Sequence, residues 1–363
     1  MSTVSDPDFS NLMSRNMFST LQIDDLLRRR GDKDLTTFSA TLSRLHIPPN
    51  LIDTFPHPLL RDPEHVVVRP ASDLEPNGTP KLQHSQLPSF PSATLRIKLG
   101  EKIGDGMTGI VYEAIALSIT HPDGSDDNVP TGYLPPLVVK VGRLNRSASM
   151  VREAWFYEDM EPIQGIAVPR CYGCFELKVP RGTIVEPCLR NCTDYDNDFE
   201  ELIDFSEYPE EALLETGVEP HPTLTELIAA RDRLHVTIFE RLGPELAPGI
   251  DHEEEVRDDI HSLFTNISSL GVHLNSSVAR ENILQAPTSP PGIPSQVSPY
   301  TNRTHAWRAI GFGQAFKTPY LRWITDAEHN QELGSMFGKI PYEWCPSSDS
   351  RGSSPDGFDE DSD

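Results

Sequence analysis

The chain has 363 residues, with 31 lysines and arginines against 55 aspartates and glutamates, which gives a formal net charge of -24. Such acidity argues against a nucleic-acid surface or an anionic membrane surface as the main partner, because both need a basic footprint. No apolar run is long enough to span a bilayer, and the first residues lack the pattern of a secretory leader. We therefore expect a cytoplasmic or nuclear protein that is not secreted.

Residues 1–92 are predicted to form an N-terminal extension that is partly helical and rich in proline. Apolar residues recur at roughly helical spacing from Phe9 to Leu27, and Asp34–Leu45 suits a second helix. Ten prolines then interrupt the chain between residues 48 and 91, which is typical of extended loop. We expect no chemistry from this extension.

From residue 93 onward, the sequence predicts several strands with one helix between them, followed by a mainly helical part. This order predicts an α+β fold in which a sheet-rich lobe precedes a helical lobe. The predicted strands are Thr94–Ile103, Ile110–Ser118, Leu137–Val141, Ile166–Glu176 and His235–Glu240. The predicted helices of this part are Arg152–Met160 and His252–Leu270.

Acidic residues are concentrated in two stretches. Between Glu186 and Glu226 there are 13 acidic residues and one basic residue, and residues 346–363 carry six acidic residues and one arginine. Such composition is typical of solvated, self-repelling segments without regular structure. If the chain has a protein partner, we expect these segments or the N-terminal extension to bind it.

A glycine-rich segment follows the first predicted strand of the sheet-rich part. Gly104, Gly106 and Gly109, with Val111 after them, fit the pattern G-x-G-x-x-G-x-V. Glycines allow a sharp turn and a close approach of the backbone to phosphate oxygens. Because β-prone residues follow instead of a helix start, the pattern indicates a hairpin and not a dinucleotide-binding turn.

A lysine closes the next predicted strand. Lys140 ends the apolar run Leu137-Val138-Val139, 31 residues after the last glycine of the motif. A buried ammonium group is costly unless an anion pairs with it. Glu153, 13 residues later on a predicted helix, is the available carboxylate.

These motifs resemble those of the protein kinases, and the chain is similar to the small protein-kinase-like domains that are common in fungal genomes. Val168–Phe175 resembles the strand after the family's first helix, and Thr237–Gly243 resembles its last small-lobe strand and hinge. The resemblance implies ATP as a ligand, held by the glycine motif, Lys140 and Glu153. It also implies that backbone groups of Glu240 and Leu242 meet the edge of the adenine.

The resemblance further implies a bilobal protein-kinase-like fold, with a small antiparallel-sheet lobe and a reduced helical lobe. Residues 93–245 would form the N-lobe, with an acidic insertion near 186–226. Residues 246–345 would form the reduced C-lobe, with a Pro-rich loop near 286–305. The acidic tail at 346–363 would be disordered.

The catalytic motifs of the family are degenerate in this sequence. Val278–Leu284 fits the end of the catalytic loop and places Asn282 at its asparagine, but Ser277 stands where the catalytic aspartate belongs. Gly311 stands where the family has its metal-binding aspartate. Serine is a poor base near neutral pH and glycine offers no side-chain ligand, so no intact catalytic set and no dedicated metal site is predicted. Asn282 remains as a single neutral contact for the phosphates of the nucleotide or for a metal ion.

Three functions follow from these residues. The favoured hypothesis is a pseudokinase that binds ATP, has little phosphotransfer activity and has no basis for binding Mg²⁺ in the family's way. The first alternative is an active atypical kinase that takes a carboxylate from elsewhere, for example from the acidic insertion. The second is an interaction scaffold that binds no nucleotide.

Four cysteines raise the question of a zinc site. Cys171, Cys174, Cys188 and Cys192 have a spacing loosely like that of four thiolate ligands. The first two lie three residues apart in a predicted strand, where their side chains would point to opposite faces. We therefore predict ordinary buried thiols and no metal.

Overall fold

The computed structural model describes residues 18–31, 36–52, 93–120, 134–189, 221–248, 252–274, 278–289, 291–318 and 322–338. Its strands are β1 (Phe18–Arg29), β2 (Thr37–Arg44), β3 (Ala93–Asp105), β4 (Gly109–Thr120), β5 (Leu137–Gly142), β6 (Cys171–Lys178), β7 (Thr183–Val185), β8 (Arg233–Glu240), β9 (Val272–Leu274), β10 (Ile283–Gln285), β11 (Trp307–Ala309) and β12 (Ala315–Lys317). Its helices are α1 (Ser147–Asp159), α2 (Glu186–Leu189), α3 (Pro222–Ala229), α4 (Glu254–Ser269) and α5 (Arg322–Gly338). Within the described ranges, no helix combines the length and apolar character needed to cross a membrane.

The main sheet closes on itself. Its strand order is β2-β6-β8-β5-β4-β3-β1-β7, and β2 also pairs with β1. Strands β1 and β3 pair in parallel, whereas the other neighbours in this sheet for which a register is defined run antiparallel. A sheet closed in this way has no open edge around its ring.

The inside of this barrel is one apolar core. In β5, Leu137, Val139 and Val141 are buried inside the barrel, whereas Val138 and Lys140 point outward. The alternation follows from the two-residue period of a strand. Val138 packs against a second apolar core, formed outside the barrel by α1, α4 and their neighbours.

The prediction of helices in the N-terminal extension is wrong where the structure tests it. Residues 18–29 and 37–44 are β1 and β2, while the earlier part of the first predicted helix lies outside the described residues. The register of β1 shifts between Ile23 and Leu27, where Asp25 adopts a φ of 58°. This irregularity places buried residues at Ile23, Leu26 and Leu27, a spacing that imitates a helical pattern.

The expected fold is confirmed as a mixed α+β architecture with a sheet-rich part and few helices. The prediction of a small antiparallel sheet is wrong in one respect, because two strands of the N-terminal extension close the sheet into a barrel. The extension also reaches the second core, where the Trp155 indole N–H on α1 donates to the Pro49 carbonyl at 3.1 Å. This closed barrel departs from a plain bilobal arrangement.

Most predicted elements from residue 93 onward are present, with shifted ends. The strand predicted at Ile166–Glu176 begins only at Cys171, after a turn. The described part of the Pro-rich loop contains no regular helix or strand, yet it buries Ser298 and His305. Residues 190–220 of the acidic insertion and the whole acidic tail lie outside the described residues.

Candidate functional site

The glycine motif forms the predicted hairpin between β3 and β4. Gly104 lies opposite Val111 in the register, and the Gly106 N–H donates to the Gly109 carbonyl at 2.9 Å. Gly109 lies against β5, where an added Cβ would come within 2.6 Å of the Val141 carbonyl oxygen. A side chain cannot fit there, so this glycine is required by close packing of two strands.

Lys140 lies directly across from Val111 in the pairing of β4 with β5. Its Nζ is 2.6 Å from Oε2 of Glu153 on α1, as the sequence predicts. The two side chains are 15% and 6% exposed, so the pair is shielded from water. The pair therefore fixes α1 against the barrel beneath the glycine hairpin.

One face of α1 points toward the chain segment around Gly311. Ser149, Glu153 and Tyr157 are spaced four residues apart and so lie on the same side of the helix. Tyr157 packs edge-on against Phe312 with ring centroids 5.3 Å apart, and its hydroxyl lies beside the Gly311 backbone. Burial, together with the charge of Glu153, raises the pKa of the Tyr157 phenol well above its ordinary value.

The structure brings Asn282 and Gly311 together. The Ile310 N–H donates to the Asn282 carbonyl at 2.9 Å, next to the pairing of β10 with β11. Gly311 has a φ of 84°, and a Cβ added to it would lie 2.8 Å from Asn282 Oδ1. Ser277, the third residue of the degenerate catalytic motifs, lies outside the described residues.

The hairpin tip lies close to the same segment. A Cβ added to Gly313 would be 3.7 Å from Thr108 Cγ2 and 3.8 Å from the Ser149 carbonyl oxygen. Thr108 belongs to the glycine motif and Ser149 to the first turn of α1. The hairpin, α1 and the segment after Gly311 therefore meet at one place.

Glu240 and Leu242 lie at the end of β8. The Glu240 carboxylate accepts hydrogen bonds from the Arg170 guanidinium at 2.7 Å and the Arg170 N–H at 2.9 Å. The Glu240 N–H in turn donates to the Arg170 carbonyl at 3.0 Å. Leu242 follows as a half-buried residue, and the neighbouring Gly243 N–H donates to the Gln285 carbonyl at 2.8 Å. The predicted contact of this segment with an adenine edge stays a prediction.

Sequence reasoning missed several charged residues at the site. Arg143 donates to Asp105 Oδ1 at 2.6 Å, and Lys102 donates to the other oxygen of the same carboxylate at 2.8 Å. Arg241 pairs with Glu113 at 2.7 Å on the outer face of β4, where Glu113 lies opposite Val138. Tyr157 is predictable as a site residue, because it lies four residues after Glu153 on the predicted helix. The partners of Arg143 are not predictable, because they depend on the geometry of the hairpin.

Arg152 supports the site from within the second core. Its guanidinium carbon lies 5.7 Å from the ring centroid of Phe156 and 5.5 Å from that of Phe316, and the group donates to the Ala315 carbonyl at 2.5 Å. Burial lowers the pKa of Arg152 to about 10, which still leaves it charged near neutral pH. The residue ties α1 to β12, directly after the segment around Gly311.

The residues fit a nucleotide better than they fit a metal ion. The hairpin lets backbone approach a phosphate, and the Lys140 ammonium group is held beside it, both of which suit an anionic ligand. A magnesium site of the family's kind lacks its carboxylate here, because Gly311 has no side chain and the side-chain oxygen beside it is the neutral Oδ1 of Asn282.

Cys171 and Cys174 are buried thiols. Burial raises the pKa of the Cys174 thiol to about 12, so it stays protonated at neutral pH. A metal-binding cysteine is a thiolate, and burial of this kind opposes its formation. The side chain of Cys188 and the whole of Cys192 lie outside what the structure describes.

No family of known proteins matches the sequence, and no curated protein matches it either. A comparison with solved structures finds a crystal structure described as a kinase domain, with 16% sequence identity and a TM-score of 0.30. The match covers 62% of this chain and 53% of that chain, so it spans about half of the solved domain. At a TM-score of 0.30 this similarity supports no conclusion about function.

Proposed function

We propose that this chain is a kinase-like nucleotide-binding protein, which binds ATP between the glycine hairpin and Lys140 and transfers phosphate poorly or not at all. The observation that carries the proposal is the shielded ion pair of Lys140 and Glu153 at 2.6 Å, placed across the sheet from Val111. A glycine hairpin alone is a common turn. The combination of this hairpin with a paired lysine held next to it supports a phosphate site.

We infer weak phosphotransfer activity because this chain lacks two of the groups that phosphoryl transfer needs. The reaction depends on positioning and on neutralising the charge of the phosphates, which the family achieves with metal-bound aspartate and a catalytic aspartate. Gly311 and Ser277 provide neither carboxylate. Loss of one such group raises a barrier by several kcal/mol, about a hundredfold or more in rate, so the loss of both leaves little activity.

The direct test is thermal unfolding with and without ATP, in EDTA and in Mg²⁺. Ligand at 100 times its Kd stabilises the folded state by about 2.7 kcal/mol, which raises Tm by a few degrees. We expect this shift in EDTA as well as in Mg²⁺. We expect it to disappear in Lys140→Met, whose own stability is measured without ligand.

The other two outcomes of the unfolding experiment favour the two alternative functions. A shift that requires Mg²⁺ would favour the active atypical kinase and contradict the weak-transfer proposal. No shift in any condition would leave the interaction scaffold. Because Lys140→Met leaves Glu153 buried without its partner, the double variant Lys140→Met/Glu153→Gln serves as the second nucleotide-site variant.

A further inference from the structure

We propose that Arg143 is a positioning residue of the nucleotide site, which latches the glycine hairpin from the barrel side and so holds its backbone in place for the phosphates. This inference rests on the proposed function and deepens it, because it names the residue that gives the hairpin one shape before the ligand binds. Arg143 acts through the hairpin and does not itself contact the nucleotide.

The glycine hairpin is costly to order. It contains Gly104, Gly106 and Gly109 within six residues, and a glycine loses more conformational freedom than any other residue when its backbone is fixed. A backbone hydrogen bond from the Gly106 N–H to the Gly109 carbonyl, at 2.9 Å, closes the turn from within. Bonds from outside the turn are what can hold its tip in one conformation.

Arg143 supplies such bonds to three residues of the tip. It directly follows β5, and its N–H donates to the Thr108 carbonyl at 3.0 Å. Its guanidinium donates to Asp105 Oδ1 at 2.6 Å and lies 3.4 Å from the Gly106 carbonyl oxygen. Lys102 donates to the other oxygen of Asp105 at 2.8 Å, which orients the carboxylate from its own strand. The Arg143 side chain is only 16% exposed, so the latch is part of the packed structure.

The latch lies on the barrel side of the sheet. Asp105 lies across from Ile110 in the pairing of β3 with β4, and Ile110 is buried in the barrel core. Val111 follows on the opposite face and lies across from Lys140. Arg143 therefore holds the hairpin from the barrel side, whereas the proposed phosphate site lies on the outer side with Lys140.

A latched hairpin affects the affinity for nucleotide through preorganisation. A turn that already has its bound shape binds more tightly, because the ligand does not have to order it. Without the latch, the hairpin would sample other conformations, and part of the binding free energy would be used to order it. ATP affinity should therefore depend on Arg143 and Asp105, although neither residue contacts the ligand.

The test is calorimetric titration of the full chain in EDTA with ATP and, separately, with adenosine. Arg143→Gln should weaken ATP binding about threefold to tenfold, the range expected for a hydrogen bond between charged groups that is partly exposed. Adenosine binding should not change, because adenosine has no phosphate to place under the hairpin. Arg96→Gln is the matched control, since it removes an ion pair with Asp24, at 2.8 Å, near the other end of β3 and should change neither titration.

Hydrogen exchange reports on the hairpin itself. The amide of Gly106, which donates to the Gly109 carbonyl, should exchange faster in Arg143→Gln than in the unchanged chain. Its exchange should stay the same in Arg96→Gln. A loss of overall stability alone would not produce this difference between two variants that each lack one ion pair of β3.

A second variant keeps the proposal open to refutation if Arg143→Gln unfolds. Asp105→Ala removes the other half of the latch and should weaken ATP binding by a similar factor. The double variant Arg143→Gln/Asp105→Ala should lose little more, because the latch is already broken in each single variant.

The proposal is overturned if Arg143→Gln or Asp105→Ala binds ATP within twofold of the unchanged chain while Lys140→Met loses it; the nucleotide site itself would then stand. It is also overturned if Arg96→Gln weakens ATP binding as much as Arg143→Gln does. If the unchanged chain binds no ATP, both this inference and the proposed function are wrong.

Discussion

Asn282 occupies the space that a side chain at residue 311 would need. Its Oδ1 lies 2.8 Å from the position of a Cβ on Gly311, and its carbonyl accepts a hydrogen bond from the neighbouring Ile310 N–H. Gly311 also has a φ of 84°, in the left-handed region where glycine is favoured. An acidic residue at this position would therefore strain the backbone and require the Asn282 side chain to move.

Gly311→Asp should destabilise the protein without creating phosphotransfer activity. The left-handed backbone and the contact with Asn282 together should cost about 1 to 3 kcal/mol of unfolding free energy, measured by urea denaturation. Gly31→Asp is the matched control, because Gly31 has a φ of 80° and no atom within 4 Å of an added Cβ. Equal losses in the two variants would show that Asn282 does not obstruct the position.

Separating Lys140 from Glu153 should cost more than removing both charges. Each single variant, Lys140→Met or Glu153→Gln, leaves a shielded polar group without its partner, at a cost of about 3 kcal/mol. The double variant Lys140→Met/Glu153→Gln should recover much of that loss in a double-mutant cycle by urea denaturation. Additive losses would mean that the two side chains do not interact in solution.

The sequence predicts the chemistry of this site better than its surroundings. The ion pair of Lys140 with Glu153 is predictable, because a lysine at the end of an apolar strand needs an anion and a single helix follows. The closure of the barrel by β1 and β2 is not, because the irregularity near Asp25 disguises a strand as a helical pattern. Arg143 was missed because its partners come from the far side of a hairpin turn.

His329 should make the protein less stable as the pH falls below about 6.5. Burial, with the nearby His273, lowers the pKa of His329 well below its ordinary value. Its Nε2 accepts from the Leu274 N–H at 3.1 Å, and its Nδ1 lies 2.9 Å from the Ser268 hydroxyl, so the ring is neutral. The unfolded chain then binds a proton that the folded chain does not, and stability falls by at most about 1.4 kcal/mol per pH unit.

The measurement is urea denaturation between pH 7.5 and 5.5, above the range in which most carboxylates titrate. His329→Gln should flatten the slope, while His46→Gln, at an exposed position, should leave it unchanged. Glu328 lies 3.1 Å from His273 and is retained in both variants. An unchanged slope in His329→Gln would assign the pH dependence to other groups.

Cys174 should resist alkylation in the folded protein. Its thiol is buried and its pKa is raised to about 12, so at pH 8 almost none is present as the reactive thiolate. Iodoacetamide labelling followed by peptide mass spectrometry should find Cys174 unmodified in native buffer and modified in urea. Rapid native labelling would show that β6 opens, or that the thiol is not buried as described.

Binding without transfer is tested most directly by equilibrium dialysis against ATP labelled in its γ-phosphate, with Mg²⁺ present and the bound label identified afterwards. We predict that the label is retained as intact ATP, and that retention is lost in Lys140→Met/Glu153→Gln. It should be kept in Arg29→Gln, because this exposed arginine lies at the end of β1 that pairs with β7. Labelled protein or released phosphate that depends on Lys140 would contradict the proposal, because the site would then catalyse transfer despite Ser277 and Gly311.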